Sequence, residues 1–462
     1  MKTFFRALPL LLLLAAMFCL VPAAPLRAAS PPAAPTVLTL DAAIGEALRN
    51  YPLLQAAMEK QLQAEEAARE VSTDLLPKLN TSYSYFRLHS KPYGFFGPAG
   101  KIYIGDDDVN TWRISAVQPL FTGFALTTRK KMAGLEITGR QLEKEQLAMD
   151  VVKNVKVAYY RVFLARERLA VAQQQVKNLA AHEHDTVSLY QQGMIPYNDL
   201  LQARVALAQA RQYREKTRRD LDLARSALNL LMNHDLRQQF ELEKLTVEPR
   251  DDGNELEALF KEALANRPEI SHLQLRKQQA QLAVTMARSR YYPQVSLVGS
   301  YEQSGDDFGG RHNSYRNSDT AAVGIQADWT FFEWGKTRAA EKRNLHQLQA
   351  LEQKIAAVQN QIRLEVQTAS SGVRLAAVNT RTAAEAVAQA EENYRITNVQ
   401  YQQQMATSTT LLDAVTFLTR ARNSYYEALY GYLIARAELE RSLGQRRLPD
   451  GVEPSAPVNR TE

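Results

Sequence analysis

The chain repeats itself at long range, and that constrains its fold more than any other feature. Ala47-Leu48-Arg49-Asn50-Tyr51-Pro52 aligns with Ala263-Leu264-Ala265-Asn266-Arg267-Pro268, sharing Ala, Leu, Asn and Pro at a shift of 216 residues (263 − 47 = 216). Leu76-Pro77 meets Tyr292-Pro293 at the same shift. Further on, Tyr190-Gln191-Gln192-Gly193-Met194 matches Tyr401-Gln402-Gln403-Gln404-Met405 at a shift of 211 (401 − 190 = 211). Phe121 with Phe332, Leu200-Leu201 with Leu411-Leu412, and Ala210-Arg211 with Ala421-Arg422 keep that second shift. The five extra residues (216 − 211) therefore lie between Pro77 and Phe121. The glycine-rich stretch Lys91-Pro92-Tyr93-Gly94-Phe95-Phe96-Gly97 marks a variable loop there. The fold must contain two copies of one unit.

Each copy opens with a helical run, about 40–74 and about 254–290, stopped by a proline. Segments of period two follow. Leu79, Thr81, Tyr83 and Tyr85 alternate with Asn80, Ser82 and Ser84, and Trp112, Ile114 and Ala116 alternate with Arg113 and Ser115. In the second copy Val295, Leu297, Gly299 and Tyr301 form one face. Val323, Ile325, Ala327, Trp329 and Phe331 form another, against Gly324, Gln326 and Asp328. Such alternation marks membrane-barrel strands, and equally a hairpin of a soluble sheet. Aromatics at the strand ends (Trp112, Phe121, Trp329, Phe331, Phe332 and Trp334) favour the barrel, as interfacial anchors. The long polar loop around Gly305-Asp306-Asp307 fits the outside of a cell.

After each hairpin, proline vanishes from Pro119 to Pro196 and from Pro293 to Pro449. A helix over about 121–192 would be about 108 Å long. The return segments carry heptads of large and small residues: Leu200, Ala203, Leu207, Ala210, Leu221, Ala224, Leu228, interrupted at Arg214 and Thr217. The copy reads Leu411, Ala414, Leu418, Ala421, Tyr425, Ala428, Tyr432, Ala435, Leu439. Long antiparallel coiled-coil hairpins are expected, with turns at 192–199 and 403–410.

Lys2 and Arg6, the apolar run Leu8 to Leu20, and Ala23, Ala24, Ala28 and Ala29 read as a signal peptide over 1–29. Cleavage after Ala23, Ala28 or Ala29 is compatible with this. The single cysteine, Cys19, falls inside that segment, and bulky Phe18 before it argues against a lipoprotein. No later stretch reaches the roughly 18 apolar residues of a membrane helix, so only closed β-strands could enter lipid. The net charge of +6 is spread over mixed-sign helix faces such as Arg166-Glu167-Arg168 and Arg214-Glu215-Lys216, which are solvated surface. No aromatic–basic interleaving points to nucleic acid. Four strands per chain cannot close. Two chains would give a filled barrel, and at least three are needed to leave a wet lumen.

The repeat, the proline-ended helices and the Tyr-x-x-Gly turn resemble the outer-membrane efflux protein family, the TolC-like channels, over about residues 38–444. The resemblance implies a mainly α fold with a membrane β part. It implies a homotrimer whose four strands per chain make a twelve-strand barrel, set on a coiled-coil helical tunnel in the periplasm. Residues 30–250 and 251–444 would be the two repeats and 445–462 a polar tail. It also implies an outer-membrane location in a Gram-negative-type bacterium, and partnership with a periplasmic adaptor, an inner-membrane transporter and outer-membrane lipid. Cargo would pass outward by efflux or type I secretion.

By the same resemblance, Asp199 and Tyr401 are expected to hydrogen-bond in a periplasmic gate, with Asp413 in an acidic entrance ring. Thr410 and Ala406 depart from the pattern, predicting a thinner closing network. Gly193, Met194, Ile195 and Pro196, with Met405, Ala406 and Thr407, would form the adaptor-docking tips. Alternatively, Asp199 simply favours a helix start and Tyr401 packs between helices.

Nothing in the sequence suggests an enzyme. His182-Glu183-His184 has the wrong helical spacing for a metal site, and Gly305 to Gly310 lacks the Gly-Lys-Ser/Thr of a phosphate loop. No cofactor is implied. A periplasmic coiled-coil adaptor or spacer without a barrel would share the helix hairpins, but would leave the four alternating strands unexplained.

Overall fold

The computed structural model describes residues 37–243 and 255–445, together with 249 and 253. The expected signal segment 1–29 and the tail beyond residue 445 lie outside the described residues. In chain order the elements are β1 (Val37–Leu38), α1 (Leu40–Asn50), α2 (Pro52–Thr73), β2 (Lys78–Arg87), β3 (Tyr93–Phe95), β4 (Lys101–Tyr103), β5 (Asp108–Phe121), α3 (Ala125–Gln191) and α4 (Tyr197–Met232). The second copy follows as β6 (Glu241–Leu242), α5 (Leu256–Asn266), α6 (Pro268–Arg288), β7 (Gln294–Gly305), β8 (Asp319–Asp328), α7 (Lys336–Gln402) and α8 (Ser408–Ser442).

The run expected over 40–74 is two helices rather than one, and so is its copy. Pro52 and Pro268 each occupy the first position of the second helix, where a missing N–H costs nothing. The preceding Tyr51 and Arg267 are extended, as a residue before proline must be. α3 and α7 are each 67 residues, about 100 Å at 1.5 Å per residue.

Four strands form one antiparallel sheet in the order β2-β5-β7-β8. The register places Leu79, Ala116, Gly299 and Val323 in one row, and Thr81, Ile114, Tyr301 and Ala321 in the next. The opposite face carries Asn80, Ser115, Ser300 and Ala322, then Ser82, Arg113, Glu302 and Thr320. One face is therefore apolar and the other polar, with the Arg113 Nε donating to Glu302 at 3.0 Å across the polar side. The apolar face has nothing over it: Val323 is 81% exposed and Leu79 76%. β2 and β8 are edges without partners among the described residues.

β8 ends at Asp328, short of the expected Trp329 and Phe331. Its last partner is Gln294, and the residue before that is Pro293, which has no N–H to continue the ladder. A register shift between Pro119 and Phe121 brings Phe121 opposite Val295, which puts it on the apolar side. The extra residues of the first copy hold the β3–β4 hairpin, which the sequence had marked only as a loop.

The core is thin and follows the repeat. Ala43, Ala47, Val151 and Val155 in the first copy correspond to Leu259, Ala263, Ile362 and Val366 in the second. The larger cluster is anchored by Tyr159, Phe163, Leu228 and Met232, each almost wholly buried; such side chains stabilise by about 1.5–3 kcal/mol apiece. The Tyr159 hydroxyl donates to the Leu38 carbonyl at 2.9 Å, tying the β1–β6 strap to the middle of α3. The heptad positions Leu200, Ala203, Leu207, Ala210, Leu221 and Leu228 are buried, and so is Thr217, expected as an interruption. Its hydroxyl turns back to the Arg214 carbonyl at 2.9 Å, which makes the burial tolerable.

Candidate functional site

Two places on the molecule collect the residues singled out by sequence: the ends of the sheet and the far ends of the long helix hairpins. At one end of the sheet Trp112 packs on Tyr83 with ring centroids 4.8 Å apart, and its Nε1 donates to the Phe308 carbonyl at 2.9 Å. At the other end Phe121, Phe124 and Tyr292 stack edge-on, and Trp329 meets Phe331 while Phe332 meets Trp334. Trp112 and Phe121 are nine residues apart on β5 (121 − 112 = 9). That is about 30 Å along a strand, or about 23 Å of height at a tilt near 40°. Aromatic side chains thus stand at both ends of an exposed apolar face.

The strand-to-helix turns below the sheet need left-handed backbone at two successive residues. The first copy uses Gly123 and Phe124 (φ 61° and 70°), the second Trp334 and Gly335 (φ 54° and 78°). Each turn has one glycine, but at opposite positions. The choice is forced at Gly123, where a Cβ would lie 2.3 Å from the Ser289 carbonyl oxygen.

At the hairpin tips α3 ends in a 6→1 cap: Met194 N–H donates to the Leu189 carbonyl at 2.9 Å, with Gly193 left-handed at φ 74°. The second tip is built identically, Met405 N–H to the Gln400 carbonyl at 2.8 Å, except that the left-handed residue is Gln404 at φ 59°. A side chain in that conformation costs roughly 1 kcal/mol. Gln404→Gly should therefore slow amide exchange at Met405 about fivefold, and Gly193→Gln should hasten it at Met194. Unchanged exchange in both would show the tips are not held by these caps.

The starts of the return helices also differ. Thr407 caps α8, its hydroxyl accepting from Thr410 N–H at 3.2 Å, and the Thr410 hydroxyl lies 2.8 Å from it. In the first tip the equivalent residue is Pro196, with no side-chain cap; Asp199, in the place of Thr410, supplies first-turn negative charge instead. Met194 and Met405 are 52% and 70% exposed, and Gln404 Nε2 reaches the Met194 sulfur at 3.6 Å, so the two tips lie side by side. Ile195 and Ala406 are half-buried, Gly193, Pro196 and Asp413 exposed.

The expected Asp199–Tyr401 hydrogen bond is not formed. Tyr401 is buried, its hydroxyl 3.3 Å from the Thr186 hydroxyl and its ring edge-on to His182, with centroids 4.9 Å apart. The tyrosine therefore turns inward toward α3, and Asp199 at the start of α4 acts on it only through its charge. His182 Nε2 lies 2.9 Å from the Ser408 hydroxyl at the start of α8, and its Nδ1 is buried without a partner. Burial pushes the imidazole below its ordinary 6.5, against the pull of Asp185 and Asp199. His182, Thr186 and Ser408 were not legible as a group in sequence, because α3 and α8, far apart in the chain, bring them together.

No helix of the described residues is long and apolar enough to cross a membrane, and no group of His, Cys, Asp and Glu among them could hold a metal ion.

The model of the family described as outer membrane efflux protein matches residues 43–234 and 259–445. The chain is 25% identical to the alkaline protease secretion protein AprF of Pseudomonas aeruginosa over 408 residues, 85% of this chain and 82% of that one. It is 21% identical to the outer membrane protein TolC of Escherichia coli over 413 residues, 86% and 80% of the two chains. Among solved structures, the outer membrane protein VceC of Vibrio cholerae superposes with a TM-score of 0.75 at 19% identity, covering 88% of this chain and 96% of that one. The channel-forming protein CusC gives 0.74 at 19% identity, covering 88% and 92%.

Proposed function

Because the chain belongs to the outer membrane efflux protein family, we propose that it serves as the exit duct of a tripartite export machine, closed by three copies of itself. It is an outer-membrane channel protein that reaches into the periplasm, in a family of transport proteins rather than enzymes. The observation that carries the reading is a four-stranded sheet with one bare apolar face and two unpaired edges. In lipid, each unpaired backbone group costs several kcal/mol, so the edges must be covered. The strands alternate in direction and are even in number, so β8 of one copy can pair antiparallel with β2 of the next. Three copies give twelve strands (3 × 4) and a lumen too wide for side chains to fill. The polar face, with Arg113 and Glu302, then lines water.

The paired tips around Met194 and Met405 would dock a periplasmic adaptor, which links the duct to an inner-membrane transporter. Their exposed methionines are adaptable apolar contacts. The name of AprF favours secretion of a protein as the export task, and the same duct suits small-molecule efflux. A periplasmic spacer without a barrel is disfavoured by the bare apolar face.

The gate in this chain is a latch of Tyr401, Thr186, His182 and Ser408, which fastens α7 and α8 to α3, with Asp199 and Asp413 as acids near the entrance. Tyr401→Ala should raise single-channel conductance in planar bilayers about twofold or more, whereas Asp199→Ala should leave it close to the wild-type value. The latch needs a neutral imidazole, so its closing contribution is complete above pH 6.5 and is lost as pH falls below it. Conductance should therefore rise on acidification in the wild type and stay flat in His182→Gln. The channel reading is tested first by purification: an SDS-resistant, heat-dissociated trimer that conducts is expected. A soluble monomer without detergent would refute it.

A further inference from the structure

We propose that the wall just beneath the barrel carries an anion-binding recess, and that the material passing through presents phosphate or clustered carboxylate groups to it. The inference rests on the channel reading above. A concavity of about 830 Å³ is lined by α2, α3, α6 and α7, with Arg129, Arg276, Arg290 and Arg343 converging on it against the single acid Glu136. A volume of this size holds a small ligand with room for water.

The recess is on the water side. Gln294, which opens β7 at its rim, precedes Val295 of the apolar face, so by strand alternation it belongs with the polar face of Ser296, Ser300 and Glu302. The adjoining helices are also those that continue directly from the strands, so the recess prolongs the polar lining of the sheet downward.

The local charge does not cancel. Asp74 is shared between Lys78 at 2.8 Å and Arg129 at 3.3 Å. Glu136 is shared between Arg140 at 3.0 Å and Arg276 at 3.6 Å, and Glu143 is taken by Arg140 at 2.9 Å. Of the charged side chains that line the recess itself, four are arginines and one is an acid, a net of +3 per chain (4 − 1). Arg290 and Arg343 make no ion pair among the described residues and are exposed to the recess. Guanidinium forks match phosphate and carboxylate oxygens two at a time, and a cleft with low-dielectric walls concentrates their field. A threefold assembly would set three such recesses at one level, forming a positive collar that contrasts with the acids Asp199 and Asp413 at the far tips.

The test uses the full mature protein in neutral detergent, titrated calorimetrically with inorganic tripolyphosphate, and the same protein in planar bilayers. Saturable binding that weakens with added salt is expected, together with current block by tripolyphosphate. Arg290→Gln/Arg343→Gln should weaken both about tenfold. Those two side chains hold no structural partner, so the variant should fold. Absence of saturable binding, or equal affinity in wild type and variant, would overturn the inference even if the protein conducts. Failure to conduct with binding intact would strike the channel reading instead.

Discussion

Gly123→Val is expected to cost upwards of 4 kcal/mol and to prevent recovery of a heat-modifiable assembly. Two effects combine. A β-branched residue at φ 61° is strained by roughly 1–2 kcal/mol on its own, and its Cβ would lie 2.3 Å from the Ser289 carbonyl oxygen, a backbone atom that moves only if the start of β7 moves too. The repeat supplies the control. Gly335 has the same handedness, yet a Cβ there meets nothing within 4 Å, so Gly335→Val should cost the conformational strain alone. Trp334→Gly, at the position equivalent to Gly123, should leave folding unimpaired. Melting temperatures compared at one protein and detergent concentration would decide it. Equal loss in both valine variants would show that strain, and not the Ser289 contact, sets the requirement.

Arg441→Met is expected to cost about 2–3 kcal/mol, because it strips a half-buried acid of one of its two guanidinium partners. Arg441 donates to Asp150 at 2.7 Å and Glu269 at 2.8 Å; Arg267 reaches Glu269 at 3.0 Å and Glu365 at 2.6 Å. This network joins α3, α6, α7 and α8 at the level where the core is thin. Burial alone would raise the Glu269 carboxyl, but the Arg267 and Arg441 guanidiniums hold it down at about 2, against an ordinary 4.5. Because the folded value is depressed, its contribution is present above pH 4.5 and is lost as pH falls toward 2. At full ionisation it is of order 3 kcal/mol. Wild-type thermal stability should therefore decline over that window, and Glu269→Gln should start lower but decline less. Arg441→Met/Glu269→Leu should regain much of the loss, since Arg267 keeps Glu365. A single Arg441→Met variant that melts with the wild type would sink this account.

What sequence could show here followed from periodicity. The two shifts fixed which helices and strands correspond, and alternation set Leu79, Ile114 and Val323 each opposite the polar neighbours of its own strand, which the register then joined into one face. The five extra residues fell where the β3–β4 hairpin stands. Prolines 52 and 268 start second helices, a break that proline chemistry allows a reader to anticipate. The two-residue strap β1–β6 carries no periodic signal at all.

The tip was the least legible region. Asp199 and Tyr401 were paired by resemblance, whereas the register of α3 against α7 gives Tyr401 to Thr186 and His182. Whether two residues far apart in sequence touch depends on the relative slide of hundred-ångström helices, and no local pattern encodes that slide. The same holds for Arg267, Glu269 and Arg441, which look like ordinary surface charges until four helices enclose them.

The two tips of each chain are built to one plan from different parts: glycine and proline with an acid in the first, glutamine and a threonine cap in the second. In the proposed trimer they would alternate around the ring, so the rim would be not a true sixfold cogwheel but a threefold one with teeth of two shapes. A protein seated on such a rim in several identical copies would then have to tolerate two sockets, binding unequally or flexing to fit both.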